Sequence, residues 1–360
     1  MTDRNSVTLF VGTRRGLFRI RTDAAHTEWD IGAPQIEGHE IAHVCAHPTQ
    51  PGRLYAAANH QVWGGHVYAS EDAGASWEPL GSAPHHAPGQ HNESVKGIWG
   101  LAMTPDGRRL YAGIDPAGLF VSDDVGESWQ PVETLNQHPT NRFWEPSKGF
   151  FAVHSVCFNP TDARHMFAAV SAGGAYRSSD GGVSWHAANQ GVRAKNIPRD
   201  NPEAGHNVHR LILHPGGRLY RQCYSGIYRS DDNACSWLEI TGDVPSDYGF
   251  AIATNAANAD MLFCVPMSNS HMRATVDGRL RVYRTDDGGA SWAERSAGLP
   301  QQHAYVGVLR EAMDTLPGQS CGVYFGTNGG HLFASSDAGD NWQMAAGFLP
   351  PIASVLALAT

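Results

Sequence analysis

Apolar residues come in short runs along this chain, each closed by turn formers, and the runs recur in a fixed order. The first kind ends near a proline, at residues 41–48, 98–105, 153–160 and 208–215, with looser versions at 250–255 and 305–310. The second is a compact aromatic and aliphatic run at 54–57, 110–113, 166–169, 219–221, 261–263 and 323–326. A third, such as Gly118-Leu119-Phe120-Val121, leads into an eight-residue box. Runs of aromatic and β-branched residues bounded by Gly, Asn and Pro form strands. The pattern predicts a repeated unit of four strands, A to D, with the box as the C–D turn.

The box reads S/T-x-D-x-G-x-S/T-W and occurs six times, at 70–77, 122–129, 178–185, 230–237, 285–292 and 335–342. Ala234 replaces the glycine in one copy, and Asn341 the second Ser/Thr in another. Successive box tryptophans lie 52, 56, 52, 55 and 50 residues apart. A period of this size belongs to propellers and solenoids. In such a turn the carboxylate accepts hydrogen bonds from backbone amides, the glycine supplies positive φ, and the tryptophan wedges between sheets. Asp72, Asp124, Asp180, Asp232, Asp287 and Asp337 are therefore expected to be structural, one packing problem solved six times.

The chain begins part-way through a unit. Residues 8–13 match a B-strand, 16–20 a C-strand, and 23–29 a decayed box whose Trp29 stands 48 residues before Trp77. The missing A-strand is supplied by residues 352–358. The expectation is an all-β, seven-bladed β-propeller over residues 1–360, closed by the last strand inside the first blade. Closure removes exposed sheet edges.

Composition then narrows the partners. Net charge is −9, from 26 Lys+Arg against 35 Asp+Glu, so no basic footprint argues for nucleic acid. No apolar stretch reaches membrane-spanning length and none follows Met1–Ser6, so neither a membrane nor a signal peptide is expected. The six cysteines show no CxxC spacing and read as reduced, mostly buried thiols of a cytoplasmic protein.

Function is expected where the repeat breaks. The long D–A connections 81–96, 132–152 and 186–207 and the irregular B–C loops 59–66 and 266–280 hold many of the 19 histidines: His60, His66, His85, His86, His91, His138, His186, His206 and His271. They also carry Trp63, Arg142, Trp144, Arg193, Lys195, Arg199 and Arg273. Aligned on their prolines, three consecutive A-strands place Trp99, His154 and His209 at one position; His43, Gly100, Ser155 and Arg210 occupy the next and point the other way. A-strands line the central channel, so the first set is expected near its mouth. Two chemistries fit. His154, His206 and His209 would bind a divalent zinc, manganese or iron ion, with Glu203 as a further ligand or base. Alternatively, His154 and His209 act as metal-free general acid and base, with Arg142 or Arg273 holding an anionic group. A third reading is a protein-binding rim.

The boxes resemble the Asp-boxes, or BNR repeats, of sialidases and related propellers, where they lie on the blade periphery. Over nearly its full length the chain resembles bacterial cytoplasmic BNR-repeat, glycosyl-hydrolase-like propellers, through stretches such as Gly205-His206-Asn207-Val208-His209 and Val308-Leu309-Arg310-Glu311-Ala312-Met313. That resemblance implies the fold; the function expected from the irregular rim is a hydrolase or lyase acting on a small molecule or glycan at the channel mouth, with a non-catalytic protein- or ligand-binding scaffold as the alternative. The resemblance does not extend to the sialidase site. Phe18-Arg19-Ile20-Arg21 lacks the proline of the sialidase FRIP motif, and no tyrosine is visibly paired with a glutamate. The rim carboxylates are Glu93, Glu145, Asp200, Glu203, Asp247 and Asp277, and Glu145 with Glu203 could form the close pair of a retaining glycosidase. The expected site is thus His154, His209 and Glu203 for chemistry, with Trp63, Trp99, Arg142, Trp144, Arg210 and Arg273 contacting substrate.

Overall fold

A computed structural model describes residues 6–23, 25–86, 95–144, 151–194, 202–316 and 321–360. They build seven four-stranded antiparallel sheets. Six sheets are sequential A–B–C–D meanders. The first is composite: its inner strand is Ile352–Ala359, paired along Val7–Thr13 from Val7↔Ala359 to Thr13↔Ile352. Here the alternation of apolar residues along both strands sets the register, because one slip would turn every core side chain outward. The closing strand arrives as expected.

The inner strands of blades 2 to 6 are Glu40–Ala46, Gly97–Met103, Val153–Phe158, Val208–Leu213 and Gly249–Asn255. That of blade 7 is Met313–Leu316, which corrects the expected 305–310. The apolar run at 305–310 instead crosses the face of the ring, where Val306 O accepts from Thr275 N and Gly307 O from Asn328 N. The true strand carries Asp314, whose carboxylate accepts the Ala357 amide of the closing strand, so an apolar template passes over it.

The six boxes are turns with one hydrogen-bond pattern. Asp72 Oδ1 accepts from Ser76 N (2.9 Å) and Ser70 Oγ (2.8 Å), and Oδ2 accepts from Ser76 Oγ (2.7 Å). Asp124, Asp180, Asp232 and Asp287 repeat this, and at Asp337 the Asn341 amide replaces the hydroxyl at 2.8 Å. Hydrogen bonds from Ser76, Ser128, Ser184 and Ser291 hold Asp72, Asp124, Asp180 and Asp287 down to about 2. The decayed seventh turn works as well: Asp23 accepts from Thr27 N and Thr27 Oγ1, both at 2.7 Å. Three of the six box tryptophans staple neighbouring blades together. Nε1 of Trp237, Trp292 and Trp342 donates to Ala188 O, Ile240 O and Arg295 O, each on the preceding blade.

All six cysteines are free thiols; Cys223, Cys264 and Cys321 are buried and Cys235 is exposed. Among the described residues no helix is long and apolar enough to cross a membrane.

Candidate functional site

Every inner strand of blades 1 to 6 carries one extra residue near its start. The register with the B-strand slips between Ile41 and His43, Ile98 and Gly100, Val153 and Ser155, Val208 and Arg210, and Gly249 and Ile252, and the closing strand slips opposite Gly12/Thr13. The unpaired residues are Ala42, Trp99, His154, His209, one of Phe250 and Ala251, and Ala353. A β-bulge bends its strand and re-aims a side chain. Five of these bulges turn a residue into one cavity of about 300 Å3 at the channel mouth: Ala42, Trp99, His154, Phe250 and Ala353 line it. Blade 7 contributes Leu309, Arg310 and Glu311, just before its inner strand.

The cavity lies to one side because the ring position is uneven. Blades 1 and 2 place alanines there, while blades 3 to 6 place Trp, His, His and Phe. The space left above the alanines is reached by Arg14, Glu40, Asn59, Lys96 and Asp115. A second cavity, of about 510 Å3, shares Arg14, Glu40, Asn59 and Lys96, so the two form one groove running outward between blades 1 and 2.

The residue after four of these bulges faces the next blade. Ser354 Oγ donates to Ile41 O (2.9 Å), His43 Nδ1 accepts from Leu101 N (3.1 Å), and Ser155 Oγ accepts from Leu211 N (3.3 Å). Gly100 has no choice of residue, because a Cβ there would sit 2.5 Å from His154 O.

The two channel histidines are neutral. His154 Nε2 donates to Val208 O (3.0 Å), so Nδ1 accepts from Ser155 Oγ (2.8 Å). Burial, then the Arg310 charge, push it well below the usual histidine range. Both ring nitrogens are thus engaged, and Nε2 joins blade 4 to blade 5. His209 Nδ1 donates to Gly249 O (2.6 Å), and its ring lies against Phe250, with centroids 4.3 Å apart. Burial and Arg310 push His209 down to about 3. His206 donates from Nε2 to Pro202 O (2.8 Å) within its own loop, and burial takes it down to about 4. Among the described residues no group of three His, Cys, Asp or Glu side chains is placed to hold a metal ion, so His154, His206, His209 and Glu203 do not assemble as a metal set.

The other expected residues scatter. Trp99 and Arg273 line the cavity. Arg210 does not line it and is spent on Glu311, which His43 Nε2 also approaches at 3.4 Å. Trp144 is a correction: it is buried in the blade 4 core, donating Nε1 to Tyr176 Oη at 2.5 Å, because the D–A segment folds back over that blade. Arg142 is exposed and lies over Phe143, Glu203 is exposed, and neither lines the cavity. Trp63 is 70% exposed at a hairpin tip, stacked on His60 at 4.2 Å. His91, Glu93, Glu145, Lys195, Arg199 and Asp200 lie outside the described residues, so the Glu145/Glu203 pair does as well. Missed by the sequence reading were Glu40, Asn59, Asp115 and Phe250. Extending the A-strand alignment from three blades to six would have found Phe250.

No family profile matches this chain. It is 27% identical over 288 residues to a xyloglucanase of Paenibacillus sp, covering 79% of this chain and 24% of that protein. It is 27% identical over 295 residues to the xyloglucanase Xgh74A of Acetivibrio thermocellus, covering 70% of this chain and 32% of that protein. The chain thus spans about a quarter to a third of these relatives. The crystal structure of the GH74 xyloglucanase from Xanthomonas campestris superposes with a TM-score of 0.64 at 18% identity, over 94% of this chain and 52% of that one. This likeness establishes the fold.

Proposed function

We propose that this propeller is a carbohydrate-processing hydrolase whose site is the channel-mouth cavity. The observation that carries the reading is that one bulge-lined cavity gathers Glu40 and Asp115 with the aromatic wall of Trp99 and Phe250. Sequence similarity to two xyloglucanases supports it. Aromatic faces suit the apolar faces of sugar rings. Hydrolysis of a glycosidic bond needs one carboxyl to protonate the leaving oxygen and a second to activate water or attack carbon. Of the three cavity carboxylates, Glu311 is engaged by Arg210, and Glu40 and Asp115 are the two assigned to that pair. His154 and His209 set the shape of the wall.

The test is hydrolysis of a glycan panel, beginning with xyloglucan, by wild type, Glu40→Gln and Asp115→Asn. Each variant is expected to lose about 100-fold or more in kcat with an unchanged melting temperature. Wild-type rates in both variants, or no turnover of any glycan by wild type, would reject the reading. One observation favours a non-catalytic binding ring instead. Trp63, stacked on His60 at a hairpin tip, presents a ready platform beside the outer groove, whose lining includes His60 and Val62.

A further inference from the structure

We infer that the channel-mouth cavity takes a ligand bearing an acidic group, a carboxylate or a phosphoryl, and that Arg310 is the residue that grips it. The inference rests on this cavity being the ligand site, as proposed above, but not on turnover.

Arg310 enters the cavity from blade 7 and lies between two aromatic faces. Its guanidinium carbon is 5.3 Å from the ring centre of Trp99 on blade 3 and 4.9 Å from that of Phe250 on blade 6. Stacking of this kind fixes the plane of a guanidinium while leaving its N–H edge free. Among the described residues that edge has no carboxylate and no hydrogen-bond acceptor, and Nε is buried without a partner. The surrounding charges make this costly. Burial, with the neighbouring Arg273 and Arg210, lowers Arg310 to about 10. Arg210 has Glu311 as its counter-ion; among the described residues Arg310 has none.

The rest of the lining points the same way. Arg14, at the B–C turn of blade 1, lines both cavities and makes no ion pair among the described residues. Lys96 and Arg273 line the mouth as well. The chain as a whole carries a net charge of −9, yet Arg14, Lys96, Arg273 and Arg310 all line this one mouth. An uncharged sugar would leave Arg310 desolvated and unpaired. An acidic group offers its planar or tetrahedral oxygens to the N–H edge and removes that penalty.

Binding is measured by calorimetric titration with D-glucose, D-glucuronate, D-glucose 6-phosphate and inorganic phosphate. Wild type is expected to bind one of the two acidic sugars about tenfold or more tightly than glucose, the scale of one charge-assisted contact. Which of them wins separates a carboxylate ligand from a phosphoryl one, and competition by inorganic phosphate marks the latter. Arg310→Met should bring the preferred sugar down to the level of glucose. Arg310→Lys keeps the charge but loses the fork, and should fall between. Glu40→Gln should retain the preference while losing any turnover, so that failure of the hydrolase reading is told apart from failure of this one. Equal binding of acidic and neutral sugars, no binding of either acid, or a preference that survives Arg310→Met in folded protein would each overturn the inference.

Discussion

The two faces of this ring are built from the same repeat and do opposite things with it. On the outer turns, one aspartate pattern recurs at Asp72, Asp124, Asp180, Asp232, Asp287 and Asp337, with distances that agree within a few tenths of an ångström. At the channel mouth one bulge position recurs too, but it carries Ala353, Ala42, Trp99, His154, His209 and Phe250. Repetition of the residue holds the ring together. Repetition of the position alone, with the residue varied, makes a cavity with a direction. A repeated carboxylate is therefore poor evidence of chemistry in a propeller, and an irregular ring of side chains is better evidence.

The largest effect should come from breaking closure. Deleting residues 352–360 removes the inner strand of blade 1 and is expected to unfold or aggregate the chain; a soluble product with an unchanged melting temperature would show that closure is dispensable. Next is the inter-blade staple: Trp237→Ala should cost about 3–5 kcal/mol in denaturant unfolding, because a buried indole and its bond to Ala188 O are both lost. A single turn aspartate costs less. Asp180→Ala should lower the melting temperature by less than Trp237→Ala does and leave ligand binding untouched. At the other face the ranking reverses. Ala42→Trp should change stability by no more than about 0.5 kcal/mol, since it fills open space, yet abolish ligand binding. A stable Ala42→Trp protein that binds like wild type would place the ligand elsewhere.

The smallest effect, read from melting temperature against pH, separates the faces by window. His43 and His209 are held near 3 and His206 near 4, against an ordinary 6.5. Below pH 6.5 the unfolded chain takes protons that these folded imidazoles refuse, so stability falls as pH drops from 6.5 toward 3. The turn aspartates, held near 2 against an ordinary 3.8, stabilise above pH 3.8 and lose that contribution as pH falls through 2. Asp314 acts in the opposite sense: burial raises it to about 6, so it costs stability as pH rises from 3.8 to 6. His209→Gln should flatten the upper window and leave the lower one; a profile identical to wild type between pH 6.5 and 4 would remove this assignment.

How far the site could be read in advance follows the same division. Trp99, His154 and His209 shared a visible position, and their place on the bulges explains why. Arg210 and Arg310 look equivalent as letters, yet one is neutralised by Glu311 and the other is stacked on two rings with no counter-ion among the described residues. Trp144 looked like a rim residue because its segment breaks the repeat, but that segment folds over blade 4 and buries it. Asp314 hid an inner strand, because a carboxylate that caps a neighbour's amide is indistinguishable in sequence from one in a loop.

By itself the sequence determined the seven units, the strand order within them, the structural role of the turn aspartates and the closing strand. These are local: periodicity, turn chemistry and spacing act within about fifty residues and are repeated often enough to be unmistakable. Only the tertiary structure decided where the cavity opens and which charges in it remain unpaired. Those depend on side chains from six different blades meeting around one axis, at separations along the chain that no local pattern encodes.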